Sequence, residues 1–206
     1  MSLAHIDMSQ FPEALHRTVR QWCVWREIYL RHTGRRIGLL SSDPESFDYW
    51  YAWPPKMATP TELRLGLASN ENSYLVAEDG CFYLESEERG SRGRDMTFTN
   101  FPDAEKAVLF SLADVARSVN NLDSLDLLWY REGLHPRVTL TNLEPEKEFS
   151  QKFGIIVDQE PAYRGWMTQS GATVFSHVVV LTYEELDARL REGVPPGWFT
   201  LELVES

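Results

Sequence analysis

The stretch Tyr74-Leu75-Val76-Ala77-Glu78-Asp79-Gly80-Cys81-Phe82-Tyr83-Leu84 decides the architecture. Two runs of aromatic and branched side chains flank Asp-Gly, and that dipeptide in that setting is the strongest short-range signal for a hairpin. Upstream, Leu63, Leu65 and Leu67 alternate with Arg64, Gly66 and Ala68, a period of two. Downstream, Gly90 to Gly93 marks another turn before Met96-Thr97-Phe98. The span from Ile37 to Phe98 therefore reads as an antiparallel meander of four or five strands.

Helical signals lie on both sides. From Pro12 to His32, Leu15, Val19, Trp22, Cys23 and Leu30 recur at three-to-four spacing, with Arg26 joining by its stem. Pro12 suits a first turn and Gly34 a terminator, while the arginines between the apolar positions face solvent. A second helix runs from Pro102 to Val119, capped by Asn100 or Phe101, with Asp103 and Glu105 at the positive end of its dipole. Its inward stripe is Ala104, Val108, Leu112, Val115, Ala116 and Val119, and Asn120-Asn121 stops it. Arg117 and Ser118 read as end-of-helix charge and capping residues. Beyond it, Leu125–Tyr130, Arg137–Leu143, Gly154–Val157, Tyr163–Thr168 and Ala172–Leu181 read as strands. Thr182-Tyr183-Glu184-Glu185 is a capping box that opens a short helix reaching Leu190. The expected fold is α+β: largely antiparallel sheet packed with an N-terminal, a central and a short C-terminal helix. The 206 residues form one domain, or two lobes of about 1–121 and 122–206 sharing a core.

The chain has 20 Lys+Arg against 31 Asp+Glu, a formal charge of −11. Six arginines lie before residue 41 and make that part net positive; the remainder is strongly negative. Nucleic acid calls for a basic footprint, so a nucleic-acid partner is not expected. Two readings of the acidity are open: solubility, or steering onto a basic partner protein. No apolar run approaches the ~18 residues of a membrane span. The start lacks the basic and apolar regions of a secretion signal, so the expected location is cytoplasmic, with no membrane partner.

No catalytic, metal or cofactor site is expected. Cys23 and Cys81 have apolar neighbours and belong to no Cys-x-x-Cys pattern, so they read as buried thiols. The five histidines show no helical i, i+4 pair, and His177 reads as a packed strand residue bonded to backbone. Phosphate-loop, dinucleotide and nucleophile-elbow patterns are missing. Gly90-Ser91-Arg92-Gly93-Arg94 sits in a hairpin rather than before a helix. Glu87-Glu88 would point to opposite faces of a strand, and Glu184-Glu185 complements a helix dipole.

The most unusual segment is Phe47-Asp48-Tyr49-Trp50-Tyr51-Ala52-Trp53, preceded by Asp43 and Glu45. On a strand, Tyr49, Tyr51 and Trp53 would share one side and Trp50 the other. Either one side is core and the other shields a sheet face, or Asp43, Glu45, Asp48, Tyr49, Trp50, Tyr51 and Trp53 form a partner-binding patch. Tyr and Trp dominate interface hot spots, and acids beside them suit a basic protein. An alternative function uses the same residues: a small-molecule-binding protein or enzyme whose cleft is lined by Tyr49, Trp50 and Trp53.

Glu87-Glu88-Arg89-Gly90, followed by Phe101-Pro102-Asp103-Ala104-Glu105-Lys106-Ala107-Val108-Leu109-Phe110-Ser111-Leu112-Ala113-Asp114-Val115-Ala116-Arg117-Ser118, resembles the bacterial polymorphic-toxin immunity protein family 61. Gly171 and Val174-Phe175-Ser176-His177, leading into Leu181-Thr182-Tyr183-Glu184-Glu185-Leu186, look like that family's closing strand and helix. The group is similar to the antitoxin of the tuberculosis necrotizing toxin. The resemblance implies a non-catalytic cytoplasmic protein without a cofactor. It would neutralise a cognate toxin by stoichiometric binding that occludes the toxin's active site, and the acidic balance would suit a toxin with a basic surface.

Overall fold

The computed structural model describes residues 2–31, 54–66, 71–199 and 201–205. In chain order the elements are β1 (Ser2–Ile6), α1 (His16–Leu30), β2 (Lys56–Thr59), β3 (Glu62–Gly66), β4 (Glu71–Glu78), β5 (Cys81–Glu88), β6 (Ser91–Phe98), α2 (Phe101–Val119) and α3 (Leu125–Glu132). They continue with β7 (Val138–Asn142), β8 (Lys152–Val157), β9 (Gly165–Thr168), α4 (Gln169–Val179), α5 (Tyr183–Arg191) and β10 (Leu201–Glu205). The fold is α+β, as expected.

Eight strands form one antiparallel sheet in the order β2-β3-β4-β5-β6-β9-β8-β7. The meander supplies β2 to β6, and Asp79 (φ 51°) and Gly80 (φ 76°) make the tight turn between β4 and β5. The next turn falls on Arg89 and Gly90, both at positive φ, so Gly93 lies within β6 rather than in the turn. β1 and β10 make a separate parallel pair that brings the two ends of the chain together.

A row of directly paired residues crosses six strands on one face: Leu63, Leu75, Leu84, Met96, Met167 and Phe153. All six belong to the main hydrophobic core, where α2 and α4 lie on the sheet, α1 and α5 pack on α2, and α3 packs on α4. Val19, Trp22, Trp25 and Ile28 put the inner face of α1 into the same core, fully buried. The thiol of Cys23 is buried there too, and burial pushes its pKa up to about 12, which leaves it protonated and inert. Cys81 is half-buried rather than buried.

Two expected strands are helices. Leu125–Tyr130 falls in α3, where Ser124 accepts a hydrogen bond from Leu127 N–H and Gly133 (φ 80°) ends the helix. Ala172–Leu181 overlaps α4, capped by Thr168; its β-branched residues imitate a strand, but nearly every side of the helix is covered by neighbours. His177 is therefore a helical residue, although its Nε2 does meet backbone, at Gly133 O 2.8 Å away. The N-terminal helix begins as a 3-10 turn at Glu13–Leu15. The caps at Asn100 and Thr182 are as expected, including both halves of the Thr182–Glu185 box.

The start of α2 holds more than dipole compensation. Asp103, fully buried, accepts two hydrogen bonds from Arg164 (2.7 and 3.0 Å) and lies 3.0 Å from Lys106 Nζ. Lys106 also donates to the carbonyls of Val179 and Leu181 at the end of α4, both at 3.0 Å. Glu105 accepts from Arg17 Nε at 3.0 Å and from the Thr18 hydroxyl at 3.2 Å on α1, so Arg17 is ion-paired rather than merely solvated. Arg117, read as an end-of-helix charge, is buried and donates to the carbonyls of Asp123, Leu190 and Glu192.

Candidate interaction surface

The large apolar side chains that are exposed among the described residues are Leu127, Leu128, Tyr130, Leu134, Leu143 and Phe149, all within one segment. Their placement follows from how α3 is docked. Leu125 and Trp129, four residues apart, form its buried face, and the ring of Trp129 stacks on Phe110 of α2 and on His177 of α4. Asp114 of α2 fixes the start of α3, accepting from the backbone N–H groups of Leu125 (2.8 Å) and Asp126 (3.3 Å) and from the Ser124 hydroxyl (3.0 Å). With that face committed, Leu127 (56% exposed) and Tyr130 (54% exposed) stand in solvent.

Tyr130 also lines a cleft of about 470 Å³ with Glu148, Gln151, Phe153, Thr168 and Thr173. Phe149 lies between two residues that line this cleft and is 75% exposed. Exposed charges of both signs share the segment: Asp126, Glu132, Glu146 and Glu148 with Arg131, Arg137 and Lys147. Large apolar side chains standing in solvent beside a polar cleft are the build of a protein-binding surface.

The outer face of the sheet is different. Glu85 accepts from Arg92 Nε (2.6 Å) and Arg94 Nε (2.8 Å), and these two guanidinium groups lie 3.7 Å over the Tyr74 ring and 3.9 Å over the Tyr83 ring. Glu87 accepts from the Tyr74 hydroxyl at 2.5 Å and from Asn72 at 3.1 Å. The tyrosines are roofed and the charges paired, so this face satisfies itself.

Asp43, Glu45, Asp48, Tyr49, Trp50, Tyr51 and Trp53, the residues singled out in sequence, lie outside the described residues. Sequence reasoning missed the ridge formed by the exposed Leu127, Leu128 and Tyr130 of α3 with Leu134 and Phe149 beyond it. The available signal was Ser124 as an N-cap, Asp126 in the first turn and Gly133 as a stop, which bracket a short helix. Among the described residues there is no group of three metal-ligating side chains, and no helix is long and apolar enough to cross a membrane.

The model of the Immunity protein 61 family matches residues 59–192, and the chain belongs to that family. Membership supports an antitoxin role and, with it, a cognate toxin as partner. The matched span contains both stretches whose resemblance pointed there, although what looked like a closing strand is α4. Among solved structures, Rv3902c from M. tuberculosis is similar with a TM-score of 0.54 at 10% identity, covering 91% of this chain and 92% of that one, a likeness of fold. No curated protein matches the chain.

Proposed function

We propose that this protein neutralises its cognate toxin by stoichiometric binding that covers the toxin's active site, without catalysis of its own. The ridge of Leu127, Leu128, Tyr130, Leu134 and Phe149 would make the contact. The observation that carries this reading is the confinement, among the described residues, of the exposed large apolar side chains to that one segment. Aromatic side chains in solvent beside a cleft are poised as interface anchors. The cleft next to Tyr130 offers mostly hydroxyl and amide groups, which suit a backbone loop of the partner. The net charge of −11 favours a toxin whose contact surface is basic, as a site for an anionic ligand would be.

The segment from Asp43 to Trp53 is proposed, on its composition alone, as a further part of this surface. Co-expression with the cognate toxin tests the reading. Growth should be rescued and a one-to-one complex should survive purification; absence of both would overturn it.

A further inference from the structure

Next to the ridge, α2, α3 and α4 surround a cavity of about 230 Å³. Met96, Phe110, Val115 and Val174 contribute apolar wall, and Asp114 and Asp126 contribute two carboxylates. Asp114 is already engaged, since it caps α3 through Leu125, Asp126 and Ser124. Asp126 is exposed, and among the described residues no cation pairs with its carboxylate. Its partial burial, and then the charge of Asp114, raise its pKa above the ordinary value.

The size selects the occupant. At ~30 Å³ per water the space equals about eight waters, and it falls below the ~300–1,000 Å³ of small-molecule sites. One long side chain fits. An apolar shaft with an uncompensated carboxylate suits a side chain with a methylene stem and a cationic head, because Lys and Arg bury their stems while holding the charge in water. A cation placed there would also offset the repulsion between Asp126 and Asp114.

We infer that the cavity between α2, α3 and α4 receives a single lysine or arginine side chain of the toxin, with its stem against Met96, Val115 and Val174 and its cation on Asp126. This rests on the toxin-binding reading and names the chemistry of one contact within it.

The test needs no toxin at its first step. n-Butylguanidinium chloride is titrated into the full-length protein while the methyl resonances of Met96, Val115 and Val174 are followed by NMR. Saturable shifts at these methyls are expected, with binding about fivefold weaker in Asp126→Asn and weaker again for n-butanol, which keeps the stem without the charge. Asp126 is exposed, so the variant should fold, and an unchanged circular dichroism spectrum and unfolding curve would confirm it. No saturable shift, or equal affinity for the variant or for n-butanol, overturns the assignment and leaves toxin neutralisation standing. In a second step, toxin affinity unchanged in Asp126→Asn would also overturn it, since the cavity would then be empty in the complex. A wild-type chain that fails to protect against toxin would instead remove the reading on which the assignment rests.

Discussion

The indole of Trp129 lies parallel to the imidazole of His177, with ring centroids 5.6 Å apart and planes 5° from coplanar alignment, and it also stacks on Phe110 at 5.3 Å. One buried ring thus holds α3 against both α2 and α4, and the ridge stands on that helix. Truncating it leaves a cavity and removes two stacking partners. Trp129→Ala should cost about 3–5 kcal/mol, read as a drop in urea midpoint, and Trp129→Phe clearly less. Hydrogen exchange in α3 should rise more than in β4 and β5.

Arg117 joins the end of α2 to the end of α5 through the carbonyls of Leu190 and Glu192, and to the turn before α3 through that of Asp123. Its bonds to Leu190 and Glu192 measure 2.7 and 2.6 Å. A methionine there would keep the stem but leave acceptors without donors. Arg117→Met should lower stability by about 2–4 kcal/mol, measured by chemical unfolding. A change within about 0.5 kcal/mol would mean that these carbonyls are satisfied without it.

Stability should depend on pH through His135. Burial, and then the neighbouring His177 and Arg137, hold its imidazole below the ordinary value of 6.5, with Asp158 acting in the opposite direction. Its Nδ1 also accepts the Arg137 N–H at 3.2 Å, which requires an unprotonated nitrogen. The native state therefore binds this proton less readily than the unfolded chain. The stability so gained is present above the unfolded pKa and is lost as pH falls through the lower folded value. Urea midpoints should fall as the pH is lowered from 7 towards 5, and His135→Gln should flatten the slope in that window.

The ridge residues should separate binding from folding. Tyr130→Ala and Phe149→Ala each remove an exposed ring, so unfolding should shift by no more than about 0.5 kcal/mol. Toxin affinity should fall tenfold or more, the effect of about 1.4 kcal/mol at a hot spot. Trp50→Ala and Trp53→Ala should weaken binding with unchanged unfolding if the aromatic stretch shares the surface. Calorimetry on the purified variants decides each case.

How far the sequence foretold these features depends on where the determining physics sits. Local chemistry was legible: Asp79-Gly80 needs two residues at positive φ, and Asn100 and Thr182 accept bonds from amides three positions on. The meander and α2 followed from such signals. The β-branched residues of α4 misled, because packing by four neighbouring elements decides that segment more than propensity does. Leu127 and Trp129 are equally apolar on the page; only the docking of α3 makes one exposed and the other buried. Asp114 looks like any surface acid, yet it caps a helix eleven residues further on. The charges of Asp103 and Lys106 gave no hint of burial, because their partners Arg164 and the end of α4 lie some 60 to 75 positions away.

The central claim is occlusion by one-to-one binding, and its most direct measurement is a titration of the toxin's activity with the purified protein at toxin concentrations well above the dissociation constant. Activity should fall in a straight line to zero at one equivalent, with the same endpoint after longer incubation. Toxin that stays active past equivalence, or that is lost progressively at a small fraction of an equivalent, would contradict the account.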